Sequence, residues 1–173
     1  MILPCKQPNG TATPDRPTRP KVGLGSIRRE TIVPRSLEET FAFFSDARNL
    51  DTLTPPWVGF RILTPVPIEM RPGTLIDYRI RIHGIPIRWL TEITEWEAPH
   101  RFVDVQLKGP YQWWHHEHRF ESCKEGTRII DEVEFRAPLY WLTHSLIVER
   151  DVGRIFDYRA QALKRAFRGA EAC

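Results

Sequence analysis

The run His115-His116-Glu117-His118 is the densest concentration of proton-accepting and metal-ligating side chains in this sequence. Imidazole titrates near neutral pH and ligates first-row metals, so three histidines in four residues invite both acid–base and metal chemistry. Trp113-Trp114 before the run and Arg119-Phe120 after it give a strand-like texture. Successive side chains of a strand point to opposite faces, so His116 and His118 share one face while His115 and Glu117 share the other. At most two of these histidines can meet one ion, and Asp104 or Asp131 from neighbouring strands would have to complete the shell. No His-x-x-x-His helix or cysteine pair supports a site, so no metal and no cofactor is assigned. Cys5, Cys123 and Cys173 are odd in number and scattered, which argues against a disulfide framework or a cysteine zinc site. No Gly-rich phosphate cradle, Gly-x-Ser-x-Gly elbow or nucleophilic cysteine context accompanies them.

These side chains need elements to hold them. The chain has 173 residues, enough for one domain with a real core. Residues 1–25 carry Pro4, Pro8, Pro14, Pro17 and Pro20 with few large apolar side chains, and are expected to form a disordered basic tail. The domain is expected over 26–168, with 169–173 as a C-terminal tail. Ser26–Pro34 reads as a strand. Ser36 with Glu39 three residues on is a capping box that opens a helix before Phe41, Phe43 and Phe44. A second short helix over Ala47–Leu53 ends at Thr54-Pro55-Pro56. Strands follow at about 58–64, 74–83, 86–96, 101–108, 112–122 and 127–136, separated by turn residues such as Arg71-Pro72-Gly73, Gly84 and Gly109-Pro110. Their short connections imply an antiparallel meander. Residues 147–168 show helical spacing at Val148, Val152, Ile155, Leu163 and Ala166. The class is α+β, with one long C-terminal helix covering one face of a curved antiparallel sheet of about seven strands.

Alternation sorts the strands into two faces. Tyr78, Trp89, Thr91, Asp104, Gln106, Trp114, His116, His118 and Asp131 fall on the apolar, inward face, among Ile76, Ile93, Phe102, Phe120 and Phe135. Strand 101–108 fits least well, because Val103, Val105 and Leu107 are then outward. An unpaired buried polar group costs about 1–3 kcal/mol, so the polar members of the inward set form either a satisfied network or the polar end of a cavity. Trp89 and Trp114 are candidate cavity walls, and Trp57, after Pro-Pro, a candidate entrance. Trp113, with Leu139-Tyr-Trp-Leu142, is a candidate exposed apolar patch for a partner, against ordinary packing under a loop.

From about 26 to 168 the sequence resembles the START-like, or SRPBCC, superfamily of polyketide cyclase/dehydrase and lipid-transport proteins. The strings that carry the resemblance are Thr54-Pro-Pro-Trp57, Gly84-Ile-Pro-Ile-Arg-Trp89, Phe102-Val-Asp-Val-Gln106 with Gly109-Pro-Tyr111, Trp114-His-His-Glu-His-Arg-Phe120, and Glu149–Arg159. They are similar to a bacterial single-domain subgroup. The resemblance implies a helix-grip fold with a deep cavity and a hydrophobic small-molecule ligand. It leaves catalysis open, because enzymes, carriers and regulators share the scaffold.

The expected function is therefore binding of a lipid- or polyketide-like molecule in the cavity, as a carrier or sensor. The alternatives are a cyclase/dehydratase that moves protons through His116 or His118, and a protein-interaction module. Of 25 basic and 22 acidic residues, residues 1–25 hold four and one, leaving 21 and 21 for the rest. The folded part is neutral, which argues against nucleic-acid binding. No apolar run approaches the roughly 18–20 residues that cross a bilayer, so no transmembrane segment is expected. No apolar segment follows the N-terminus as in a secretory signal, so cytoplasm is the expected location.

Overall fold

Ser36 caps the first helix as its spacing predicts. Its Oγ accepts from the Glu39 amide at 3.2 Å, and the Glu39 carboxylate accepts from the Ser36 amide at 3.0 Å. A computed structural model describes residues 15–138 and 145–168 of the protein. Its elements are β1 (Gly25–Val33), α1 (Leu37–Ser45), α2 (Asn49–Leu53), a 3-10 turn at Pro56–Val58, β2 (Arg61–Ile62), β3 (Leu75–Ile82), β4 (Ile85–Glu97), β5 (Arg101–Lys108), β6 (Trp113–Cys123), β7 (Gly126–Arg136) and α3 (Ser145–Arg168). The expected strand at 58–64 shrinks to two residues because Pro55-Pro56 first imposes the 3-10 turn.

The strand order is β1-β7-β6-β5-β4-β3-β2, with every neighbouring pair antiparallel. β2 to β7 form the meander, and β1 returns to close the far edge beside β7. The β3–β4 hairpin turns through His83 and Gly84, both with positive φ, the conformation that a tight two-residue hairpin requires. α3 lies across the concave face. Its buried Val152, Phe156, Leu163 and Phe167 follow the helical period and meet Trp114, Val133, Phe102 and Phe120 of the sheet. This is the α+β helix-grip architecture expected from the element order. No described helix is long and apolar enough to cross a membrane.

The convex face explains the outward valines. Register places Glu92, Val105, His115 and Glu134 in one row across β4, β5, β6 and β7. The segment before β1 crosses that row. Arg16 makes a bidentate pair with Glu92 at 2.8 Å, Arg19 does the same with Glu134, and Arg136 donates to the Val22 carbonyl. Val103, Val105 and Trp113 are buried on this face. Trp113 is therefore not part of an exposed patch: its ring stacks over His115, 7° from parallel. The Leu139–Leu142 half of that expected patch lies outside the described residues, as do residues 1–14 of the tail and the 169–173 tail. The described part of the tail, from residue 15, has neither helix nor strand before β1 and is held by these charges rather than by a core.

Candidate functional site

Four strands, β3 to β6, deliver their inward side chains to one cavity. It lies between the sheet and α3, has a volume of about 480 Å³, and is lined by Tyr78, Trp89, Thr91, Asp104, Trp114, His116 and His118 among the sequence-predicted residues. Its walls are aromatic. Tyr78 and Trp89 stack with centroids 5.7 Å apart, and Trp114 meets Trp89 edge-on at 5.2 Å. Such surfaces suit an apolar ligand, since they offer large apolar area with few polar atoms.

The other two predicted residues are buried but off the cavity wall. The Gln106 carboxamide turns to the loop after β5, donating to the Tyr111 carbonyl at 2.6 Å and accepting from the Tyr111 amide at 3.3 Å. Asp131 sits behind the histidines. Expecting both to line the cavity followed from alternation, which fixes a side chain's face but not its reach along it.

One inner wall carries a cluster of buried polar groups. Register sets Asp104 beside His116 and His118 beside Asp131, and the four side chains close into a ring. His118 Nε2 lies 3.3 Å from Asp104 Oδ2, and His116 Nε2 lies 3.3 Å from Asp131 Oδ1. His116 Nδ1 is 3.4 Å from Asp104 Oδ2, and His118 Nδ1 is 2.7 Å from Asp131 Oδ1 but off line for a hydrogen bond. The imidazoles pack against each other at 3.7 Å, with Phe102 on the far side of His118 at 4.1 Å. Thr91 Oγ1 lies 3.2 Å from Asp104 Oδ1 and 3.0 Å from the Val105 carbonyl oxygen.

Electrostatics sorts these groups. Burial works to raise the Asp131 pKa, but the Arg159 charge and the histidine hydrogen bonds outweigh it and hold the carboxyl well below its ordinary value. Asp104 is likewise held low against burial by the His118 hydrogen bond and the charges of both imidazoles. His116 goes the other way: burial, then the neighbouring His118 charge, brings it down to about 4. Burial also raises the Tyr78 hydroxyl well above its ordinary value, with Asp104 adding to the effect. At neutral pH the wall holds two carboxylates and an uncharged His116.

Sequence reasoning missed Arg159. Its Nε lies 3.4 Å from Asp131 Oδ2, and its guanidinium sits 5.1 Å from the Phe44 ring centroid. The signal was present, because Arg159 falls four residues after Ile155 and four before Leu163, on the stripe that faces the sheet. The mouth was half legible. Trp57 does line it, 56% exposed, together with Arg81, His83, Gly84 and Arg154. His83 Nε2 reaches across it to Asp151 Oδ2 on α3 at 3.1 Å. Arg81 and His83, outward by alternation, come to the rim because the sheet ends there.

With this geometry in view, comparison with known proteins is decisive. Residues 33–168 match the family described as polyketide cyclase / dehydrase and lipid transport. The chain belongs to that family. No curated protein matches it. Solved structures that share its fold include Ara h 8.0201, 16% identical, TM-score 0.60, covering 84% of this chain and 99% of the other. Protein CV1439 from Chromobacterium violaceum is 14% identical with TM-score 0.65, covering 82% of this chain and 96% of that one. The major latex-like protein 151 from Panax ginseng is 9% identical with TM-score 0.62, covering 83% and 97%. Likeness at these identities is likeness of fold. Within this polyketide cyclase/dehydrase and lipid-transport family the site must be argued from its own side chains, which here combine aromatic walls with one ionised wall.

Proposed function

We propose that this protein binds and carries a hydrophobic small molecule, lipid- or polyketide-like, with its apolar body between Tyr78, Trp89 and Trp114 and a polar group on the Asp104–His116–His118 wall. The single observation behind this reading is the cavity itself: about 480 Å³, largely aromatic, with Asp104, His116 and His118 together on one inner wall and charged side chains such as Arg81, His83 and Arg154 at its mouth. That volume lies within the roughly 300–1,000 Å³ usual for small-molecule sites. Removing a ligand's apolar surface from water is worth about 25 cal/mol per Å², and a localised polar wall fixes which end enters first. Family membership supports a ligand of this class, and leaves its identity to experiment.

The test is native mass spectrometry of the protein purified from its own host, compared with its denatured mass, alongside titration with an apolar fluorescent probe. An organic mass excess, or probe binding lost when Ile80→Trp fills the cavity, is the expected result. A bare mass together with no probe binding overturns the reading.

A further inference from the structure

The histidine–aspartate ring contains more close contacts than hydrogen bonds. Four nitrogen-to-carboxylate approaches, at 3.4, 3.3, 3.3 and 2.7 Å, join His116 and His118 to Asp104 and Asp131. Only the two Nε2 approaches have hydrogen-bond geometry; His116 Nδ1 against Asp104 and His118 Nδ1 against Asp131 are close but off line. The shortfall surfaces at His118, only 3% exposed, whose Nδ1 has no hydrogen-bond partner. Charge tells the same story. Two carboxylates share the ring with one permanent cation, Arg159, which lies against Asp131.

The two aspartates are not equivalent. Asp131 is off the cavity wall and touches one nitrogen of each ring. Asp104 lines the cavity, and its Oδ2 touches the other nitrogen of each, 3.4 Å from His116 Nδ1 and 3.3 Å from His118 Nε2. Ligand atoms bonded at 2.0–2.1 Å to a tetrahedral ion stand about 3.3 Å apart. One donor atom from each of Asp104, His116 and His118 lies within 4.8 Å of the others.

We propose that Asp104, His116 and His118 bind a divalent first-row transition-metal ion on the polar wall, with Asp131 orienting both imidazoles from behind and a further coordination position open to the cavity. The ion then takes His116 Nδ1, His118 Nε2 and Asp104 Oδ2, while His116 Nε2 keeps its hydrogen bond to Asp131 Oδ1 and His118 Nδ1 stays 2.7 Å from the same oxygen. A carboxylate behind a ligating histidine is the usual outer-shell arrangement. Two histidines with one carboxylate suit zinc, cobalt or iron, and three protein ligands leave room for an exogenous one. Arg159 on Oδ2 neutralises Asp131 and keeps it out of the inner shell. The inference does not rest on the carrier reading, since an ion binds here whether or not an organic molecule fills the cavity.

The test uses the full chain, stripped with chelator and titrated with Co²⁺ by visible absorption and with Zn²⁺ by calorimetry. The expected result is one equivalent of Co²⁺ giving a ligand-field band that Zn²⁺ displaces. Asp104→Asn should weaken binding at least tenfold, and Asp131→Asn by about 10–100-fold. Replacing His100 and His115 together by Gln should leave it unchanged. Absence of the band and of heat in the wild type overturns the proposal, as does binding by folded Asp104→Asn at wild-type affinity. Should that variant not fold, proton NMR of the Co²⁺ form of the wild type decides: two hyperfine-shifted, exchangeable imidazole N–H signals support the site, and none overturns it.

Discussion

Arg159 of α3 and Asp131 of β7 meet across the helix–sheet interface, Nε 3.4 Å from Oδ2, with side chains 11% and 4% exposed. Nε makes no hydrogen bond, so the contact is one of charge. A helix that carries a cation into an apolar interface docks in the register that brings this cation to this carboxylate. Removing one member of a buried pair costs about 3–5 kcal/mol, mostly through the charge left behind. Arg159→Met is therefore expected to destabilise the fold by about 3 kcal/mol in urea unfolding, and Asp131→Asn in the same chain to restore part of the loss. If the double variant is no more stable than Arg159→Met alone, charge is not what the pair contributes.

The convex face gives a second prediction, with a pH sign. The Arg16 hydrogen bond holds the Glu92 pKa below its ordinary value, against burial. A carboxyl depressed on folding contributes stability that is present above its unfolded value and lost as pH falls through the lower folded one. The strap should therefore stay closed at neutral pH and open only in acid, below the usual carboxylate range. Opening uncovers Val105 and its neighbours, so amide exchange in β5 and β6 should rise there. Arg16→Ala should produce the same exchange at pH 7. The global cost should stay within about 1 kcal/mol, because Arg16 itself is exposed. Unchanged exchange in Arg16→Ala would mean that the valines are covered by something else.

What the sequence made legible follows from the range of each signal. The capping box at Ser36 and Glu39 is a three-residue pattern, and the strand faces are a two-residue one. Both survive folding because neighbours along the chain set them. That is why His116, His118 and Asp104 were assigned to one face, and one face is where the structure has them. Arg159 was lost in reading α3 as apolar positions with charges between, although it occupies an apolar position. Gln106 and Asp131 turned on side-chain reach, which periodicity does not encode. Val105 misfits alternation because the segment that crosses its row, Arg16 to Val22, lies about 85 residues away in the chain, and Val103 because Arg101 joins the flanking Glu95 and Glu117 beside it.

Ser36 offers a test on that legible part. Its Oγ holds the Glu39 amide, and its own amide is held in return. Ser36→Ala should cost about 1 kcal/mol in thermal or urea unfolding, the usual cost of losing a cap. Ser36→Asp should recover most of it, since a carboxylate accepts from the same Glu39 amide at the positive end of the helix. Equal stability of Ser36→Ala and wild type would show that α1 is held by Phe41 and Phe44 packing alone.

Gly126 and Gly84 separate two reasons for glycine at a turn. Both have positive φ, +127° and +83°. A Cβ at Gly84 meets nothing within 4 Å, so Gly84→Ala should cost only the backbone preference, about 1–2 kcal/mol. A Cβ at Gly126 would stand 2.2 Å from the Val33 carbonyl oxygen and 2.9 Å from the Arg35 amide nitrogen. Those atoms are backbone and cannot swing aside. Gly126 also opens β7 where β1 pairs with it, through Val33 opposite Thr127. Gly126→Ala must push β1 away from β7 or distort the turn, and its expected cost exceeds that of Gly84→Ala by at least about 2 kcal/mol. Thermal unfolding of the two variants side by side checks this. Equal melting temperatures would mean that the β1 end yields freely, and that the close approach of Val33 is not what demands glycine at 126.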